Sequence, residues 1–243
     1  MSMRLKGGFA TDKGISREKN EDAIILQAIE QQGEWFAVGA VCDGIGGLEQ
    51  GEVAARLVIN ELKNWFERVS QWIRIAEIDA NALFLQLTQD VQEWNKKVCE
   101  YCRVNHVKSG TTLSLIMMIR NQYFVIHVGD SRIYKYNGHL EQLTQDEITE
   151  KITNGKPKGY LNNFIGKSEQ LKYTTSGGML TCGDVLLYCS DGFYHKFTQN
   201  DMEYLIGQYR MNGSVYQICV DGINMMEERQ ERDNISVGMI IIE

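Results

Sequence analysis

The chain has 243 residues, a length that one large domain with its own core can use. Its hydrophobic share of 43% is that of an ordinary globular protein, and a net charge of −7 gives no call for nucleic acid or an anionic membrane as partner. The start, Met1-Ser2-Met3-Arg4-Leu5-Lys6, has no apolar signal core, and the longest aliphatic run, 113–119, is too short to span a bilayer, so a cytoplasmic location is expected.

Residues 23–29 and 35–42 read as strands, the second ending at Asp43. Residues 49–69 have helical spacing, with Val53, Leu57, Leu62, Trp65 and Phe66 on one face. Residues 78–98 repeat the pattern with Leu83, Leu87, Val91, Trp94 and Val98. The period then shortens, and 111–119, 123–128, 132–137 and 139–143 read as successive strands. Asn121-Gln122 and Asn137-Gly138 lie at the turns, and Asn-Gly is a strong hairpin signal. Residues 184–189 form another buried strand, 201–209 and 214–228 look helical, and 235–242 close the series as a strand. Pro157 is the only proline, and no stretch is rich enough in glycine and serine to be a linker, so one domain over 1–243 is expected. Strands clustered as hairpins favour an α+β fold: two antiparallel β-sheets packed as a sandwich flanked by helices.

Five acidic clusters are set into this frame. They are Arg17-Glu18-Lys19-Asn20-Glu21-Asp22, Asp43-Gly44-Ile45-Gly46-Gly47, Gly129-Asp130-Ser131-Arg132, Ser190-Asp191-Gly192 and Asp233-Asn234. Each alone reads as a turn or a surface ion pair. Together they place carboxylates at strand ends, where they would repel one another unless cations lay between them. Oxygen ligands of this kind hold Mg²⁺ and Mn²⁺. Gly44 leaves its carbonyl open to an ion, Gly46 and Gly47 let the chain turn away, and the Arg17 fork matches two phosphate oxygens. Cys99 and Cys102 with His106 lack the second cysteine pair that a zinc site needs. His127 reads as a sheet residue, and His195 stands four residues after Asp191.

In kind and in order, these motifs resemble those of the metal-dependent Ser/Thr protein phosphatases, the PPM or type 2C family, in its bacterial form. Arg17 through Asp22 is similar to the family's Arg-x-x-Asn-Glu-Asp motif, and Asp43 through Gly47 to its Asp-Gly-x-Gly-Gly motif. Ser109-Gly110-Thr111-Thr112, Gly129 through Arg132, Ser190-Asp191-Gly192 and Asp233-Asn234 resemble the later ones. The resemblance implies a sandwich of α-β-β-α layers with a metal channel at one edge, holding two core Mn²⁺ or Mg²⁺ ions and a weaker third. It implies that Asp43 bridges the core ions, that the Gly44 carbonyl binds one of them, and that Asp191 and Asp233 hold the other. Glu21 and Asp22 would act on the second ion directly or through water, Asp130 would hold the third, and Arg17 would bind the substrate phosphate. The implied reaction is one-step hydrolysis of phosphoserine and phosphothreonine in proteins. A water bridging the ions loses a proton and attacks phosphorus, with no phosphoenzyme. A cognate Ser/Thr kinase is the implied partner.

Two departures stand out. Ile45 occupies a position where animal members carry histidine, and the segment 144–160, with Lys151, Lys156 and Lys158, is shorter than the flap of bacterial relatives. Two other readings stay open: a catalytically weak module that binds phosphoproteins, and a phosphatase of small phosphorylated metabolites.

Overall fold

A computed structural model of the chain describes residues 4–45, 50–153 and 156–243, with the side chains of 150–158 left out of the description. Gly46, Gly47 and the side chains of Lys151, Lys156 and Lys158 therefore lie outside the described residues.

The strand β1 (Leu5–Asp12) is followed by β2 (Ala23–Gln31) and β3 (Glu34–Cys42), then by the helices α1 (Gly51–Ser70) and α2 (Ala80–Asn105). A meander follows: β4 (Leu113–Ile119), β5 (Gln122–Val128), β6 (Arg132–Tyr136) and β7 (Leu140–Gln142). The hairpin β8 (Ile148–Thr153) and β9 (Lys156–Leu161) precedes β10 (Thr174–Met179) and β11 (Val185–Cys189). The short α3 (Asp191–Tyr194), then α4 (Gln199–Asn212), α5 (Val215–Glu228) and β12 (Ile235–Ile242) complete the order. One sheet runs β1-β12-β11-β6-β7 and the other β10-β5-β4-β3-β2, and every pairing in them is antiparallel. The expected sandwich of two antiparallel sheets with helices outside is what forms.

Burial on both faces explains why β3 reads as an almost unbroken apolar run. Phe36, Val38, Ala40 and Cys42 face Leu62, Trp65, Leu87 and Trp94 of α1 and α2. Ala37 and Val41 face the other sheet, against Leu186 and Ile240, with Ile116 of β4 beside them. Phe36 stacks on Phe66 with ring centroids 4.9 Å apart. Beyond the second sheet, Leu187, Val237 and Met239 pack under Leu205 of α4 and Ile218 and Cys219 of α5. Local chemistry fixes the helix starts. Asp79 accepts from the Asn81 and Ala82 amides, and Thr198 with Asp201 forms a reciprocal capping box.

Tyr188 ties the sheets together. Its hydroxyl donates to the Ile25 carbonyl at 2.9 Å, and its ring fills the space over Gly39 and Gly238, where any Cβ would collide with it. Gly238→Ala is therefore expected to lower stability by about 1–3 kcal/mol through overpacking. Urea unfolding would measure this, and an unchanged midpoint would show that the ring has room to move.

Antiparallel pairing brings the ends of several strands to one edge. Cys42 at the end of β3 pairs with Ala23 at the start of β2, and Leu113 of β4 with Val128 at the end of β5. In the other sheet Cys189 pairs with Val237 of β12 and with Arg132 of β6. All five acidic clusters leave from this edge.

Candidate metal centre

A cavity of about 190 Å³ opens at that edge, lined by Arg17, Glu21, Asp43, Gly44, Ile45, Thr112, Asp130, Leu161, Asp191 and Asp233. Seven of the eight residues expected at the site line it; Asp22 does not.

The backbone of Asp43 is held at both ends. Its N–H donates to Thr112 Oγ1 at 2.9 Å, and its carbonyl accepts from the Thr112 N–H and the Thr111 hydroxyl, both at 2.9 Å. The carboxylate is thereby aimed into the cavity on a fixed stem. Gly44 has no room for a side chain, because a Cβ there would lie 2.5–2.6 Å from Gly51 and from the Glu21 carbonyl. Asp191 begins α3, and its Oδ1 is buried with no partner. Asp233 Oδ1 accepts from the Asn234 N–H at 2.8 Å, and Oδ2 accepts from Arg17 Nη2 at 2.7 Å.

Asp22 stands behind the wall. It is 6% exposed, Ser190 Oγ donates to its Oδ2 at 2.7 Å, and its Oδ1 has no partner. Asn234 was expected only as part of a motif, yet its side chain clamps the Arg17 loop. Its Nδ2 donates to the Lys13 and Lys19 carbonyls at 2.9 Å each, and its Oδ1 accepts from the Glu21 N–H at 2.9 Å. The signal for this was present, since an amide beside an aspartate offers both a donor and an acceptor to neighbouring loops.

Burial and crowding raise the proton affinity of these acids. Asp22 is pushed up to about 7, chiefly by desolvation. Asp130 is pushed up to about 6 by burial, with Asp191 and Asp146 adding to it. Asp43 is raised well above the ordinary carboxylate range by burial and then by Asp22, Asp191, Asp130 and Asp233. Burial, then Glu52, raises Glu21. His195 lies outside the cavity lining, but its charge favours the ionised forms of Asp191 and Asp130.

Among the described residues, converging acids opposed by Arg17 alone in the cavity wall, with Asp22 Oδ1 and Asp191 Oδ1 buried without partners, fit a site for hard dications. Among the described residues no three acidic, histidine or cysteine side chains close on one point as a complete cage. That is compatible with Mg²⁺, which keeps several waters and takes only one or two carboxylates. It is also the arrangement expected while Arg17 draws Asp233 aside. The other sequence signals do not converge here. Cys99 and Cys102 are free thiols on α2, with Cys102 Sγ directed at the Ser109 carbonyl, and His106 ends that helix.

The family model described as protein phosphatase 2C matches residues 15–216. The serine/threonine phosphatase stp of Listeria monocytogenes is 29% identical, over 96% of this chain and 94% of its own length. The crystal structure of the serine/threonine phosphatase Stp1 from Staphylococcus aureus superimposes with a TM-score of 0.83 at 24% identity, over 99% of this chain and 96% of that one. The catalytic domain of the serine/threonine protein phosphatase PstP, solved in complex with 2 manganese ions, superimposes with a TM-score of 0.76 at 23% identity over 99% of both chains.

Proposed function

The chain belongs to the protein phosphatase 2C family, as a serine/threonine phosphatase of bacterial type, and from that premise we propose that its acidic cavity hydrolyses phosphoserine and phosphothreonine in proteins with two Mn²⁺ or Mg²⁺ ions held there. The observation that carries the reading is the convergence of Asp43, Asp191 and Asp233 on one cavity with Arg17 at its wall. Asp43, Asp191 and Asp233, with the Gly44 carbonyl and Glu21, would hold the two core ions, and Asp130 would offer a place for a weaker third. Asp22, set back from the cavity, acts through Ser190 and through solvent rather than by direct contact. Bound ions of this kind supply Lewis acidity and lower the pKa of a coordinated water.

The chain's own groups do the rest. Arg17 exchanges Asp233 for the substrate phosphate, because a guanidinium fork pairs with two phosphoryl oxygens and steadies the charge that spreads over them in the transition state. Asp43 and Asp191 line the cavity side by side, so that ionised together they favour a cation between them. Ile45 has no ionisable side chain, so the leaving alkoxide takes its proton from water or from another group of the cavity. Leu161, at the end of the β8–β9 hairpin, forms the rim over which a peptide enters. Phosphoproteins as substrates make a Ser/Thr kinase the natural counterpart. Among the described residues no helix is long and apolar enough to cross a membrane.

The test is turnover of p-nitrophenyl phosphate and of a phosphothreonine peptide with Mn²⁺, with Mg²⁺ and with EDTA. Metal-dependent hydrolysis of the peptide supports the reading. Turnover of small esters alone would favour a metabolite phosphatase, and no turnover in the presence of metal would favour a binding module. Arg17→Ala is expected to raise KM roughly tenfold or more, the worth of a charge-assisted hydrogen bond. Mn²⁺ affinity measured by calorimetry should not fall, since the change frees Asp233. Arg17→Lys should recover little, because an ammonium cannot reproduce the fork. A large loss of Mn²⁺ affinity in Arg17→Ala would overturn the assignment.

A further inference from the structure

Behind the cavity runs a buried polar seam that the hydrolytic chemistry leaves unused. It begins at the Asp43 N–H, which donates to Thr112 Oγ1 at 2.9 Å. Thr112 Oγ1 lies 2.7 Å from Ser131 Oγ. The carbonyl of the same Ser131 accepts from Ser114 Oγ at 2.8 Å. Ser114 Oγ lies 2.9 Å from His127 Nδ1, and His127 Nε2 lies 3.1 Å from the Gln145 carbonyl. Thr112, Ser114, His127 and Ser131 are all 2% exposed or less. Ser114 and His127 are register partners on β4 and β5, so the link between them is fixed by the sheet itself.

We propose that His127 is a positioning residue for the phosphatase site, holding Asp43 and the Asp130 loop in register through Ser114, Ser131 and Thr112. The inference rests on Asp43 being a ligand of the core ions, as proposed above. Ser131 is the hub. Its hydroxyl reaches the arm that carries Asp43, its carbonyl reaches His127 by way of Ser114, and it follows Asp130 directly in the chain. A metal site needs its ligands held to within a few tenths of an ångström, and partners one bond further out supply that constraint. Here the constraint runs inward from the sheet. The bland alternative is a core histidine satisfied by a hydroxyl and a carbonyl. That reading has Nε2–H donating to the Gln145 carbonyl and the single Ser114 proton turned to Nδ1, whereas the positioning role needs Nδ1–H donating to Ser114 Oγ so that Ser114 can donate to the Ser131 carbonyl, and only the second links the imidazole to turnover.

The two ring nitrogens can be tested apart, because the asparagine amide sits where Nδ1 does and the glutamine amide where Nε2 does. His127→Asn keeps the contact to Ser114 and leaves the larger void. His127→Gln keeps the contact to the Gln145 carbonyl and fills more of the space. If His127 acts through Ser114, His127→Asn retains kcat within about threefold although it melts lower. His127→Gln then loses kcat roughly 10–100-fold, the usual cost of removing an outer partner of a metal ligand, with KM unchanged. Ser114→Ala, which removes only the middle hydroxyl, should match His127→Gln. Adding Thr112→Val to His127→Gln should cost nothing further, because members of one hydrogen-bonded network do not act additively.

Losses that follow melting temperature, losses that multiply in the double variant, or unchanged kcat in His127→Gln would each overturn the proposal. Hydrogen–deuterium exchange at the Asp43 amide, measured without metal, separates this inference from the phosphatase reading. Faster exchange in His127→Gln and Ser114→Ala supports positioning even in a protein that hydrolyses nothing. Unchanged exchange sinks it even in an active enzyme.

Discussion

Asp43→Asn is expected to abolish metal-dependent turnover, by at least about 10³-fold, while making the metal-free protein more stable. The two effects have one origin. Asp43 sits in a wall with Asp191, Asp130 and Asp233, with Asp22 behind it, and each of them makes its ionised form harder to hold. With ions bound as proposed, that charge would organise the site. Without them it is repulsion stored in a buried place, and each unit by which burial and neighbours raise a carboxyl pKa is ~1.4 kcal/mol of preference for the neutral form. Asparagine keeps the shape and removes one charge. The measurement is a pair of melting curves in EDTA at neutral pH beside steady-state rates with Mn²⁺. A variant that keeps the wild-type rate would end the two-ion assignment. One that loses both activity and metal-free stability would show that the carboxylate is structural.

The metal-free protein is also expected to lose stability as pH rises from 5 to 8, the reverse of the usual acid sensitivity. A carboxyl whose folded pKa lies above its unfolded value holds its proton more tightly when folded. Its contribution is complete below the unfolded pKa, about 4, and is lost as pH climbs through the folded one. Asp130 at about 6 and Asp22 at about 7 place the window there, and Asp43 extends it upward. His127, lowered by its burial, works against this trend on the acid side of 6.5. The buried carboxyls outnumber it in the window. Saturating Mn²⁺ should flatten or invert the slope, because cations favour the ionised acids and displace their protons. Melting temperatures across pH 5–8 with EDTA and with Mn²⁺ give the answer. A flat or rising EDTA curve would mean that the carboxylates are already compensated by something other than metal.

Much of this was legible because two periodicities were clear. The long helices carried their apolar faces openly, and the meander from 113 to 142 alternated with turn residues at the right places. The strands that escaped notice lack such a signal. β1 reads Leu-Lys-Gly-Gly-Phe-Ala-Thr-Asp and takes its place by pairing with β12, while β10 reads Thr-Thr-Ser-Gly-Gly-Met and lies mostly exposed at a sheet edge. Neither has the side chains to announce a strand; tertiary pairing imposes it. The hairpin of β8 and β9 was read only as a short flap, since its sequence mixes lysine, glycine and proline. At the site, the acidic motifs gave away residue types and order. They could not reveal that Asp22 turns back toward Ser190, or that Arg17 grips Asp233, because both depend on loops from different sheets meeting.

β12 lies in the middle of its sheet, between β1 and β11, although its residues follow both of theirs in the chain. During translation, β1 must therefore wait for more than two hundred residues to be added before its partner exists, at roughly 5–20 residues per second. A growing or prematurely released chain that stops before Asp233 carries Arg17, Asp43 and Asp191 but has neither that carboxylate nor the Asn234 clamp on the Arg17 loop. The order of synthesis delays the centre until the sheet that frames it can close.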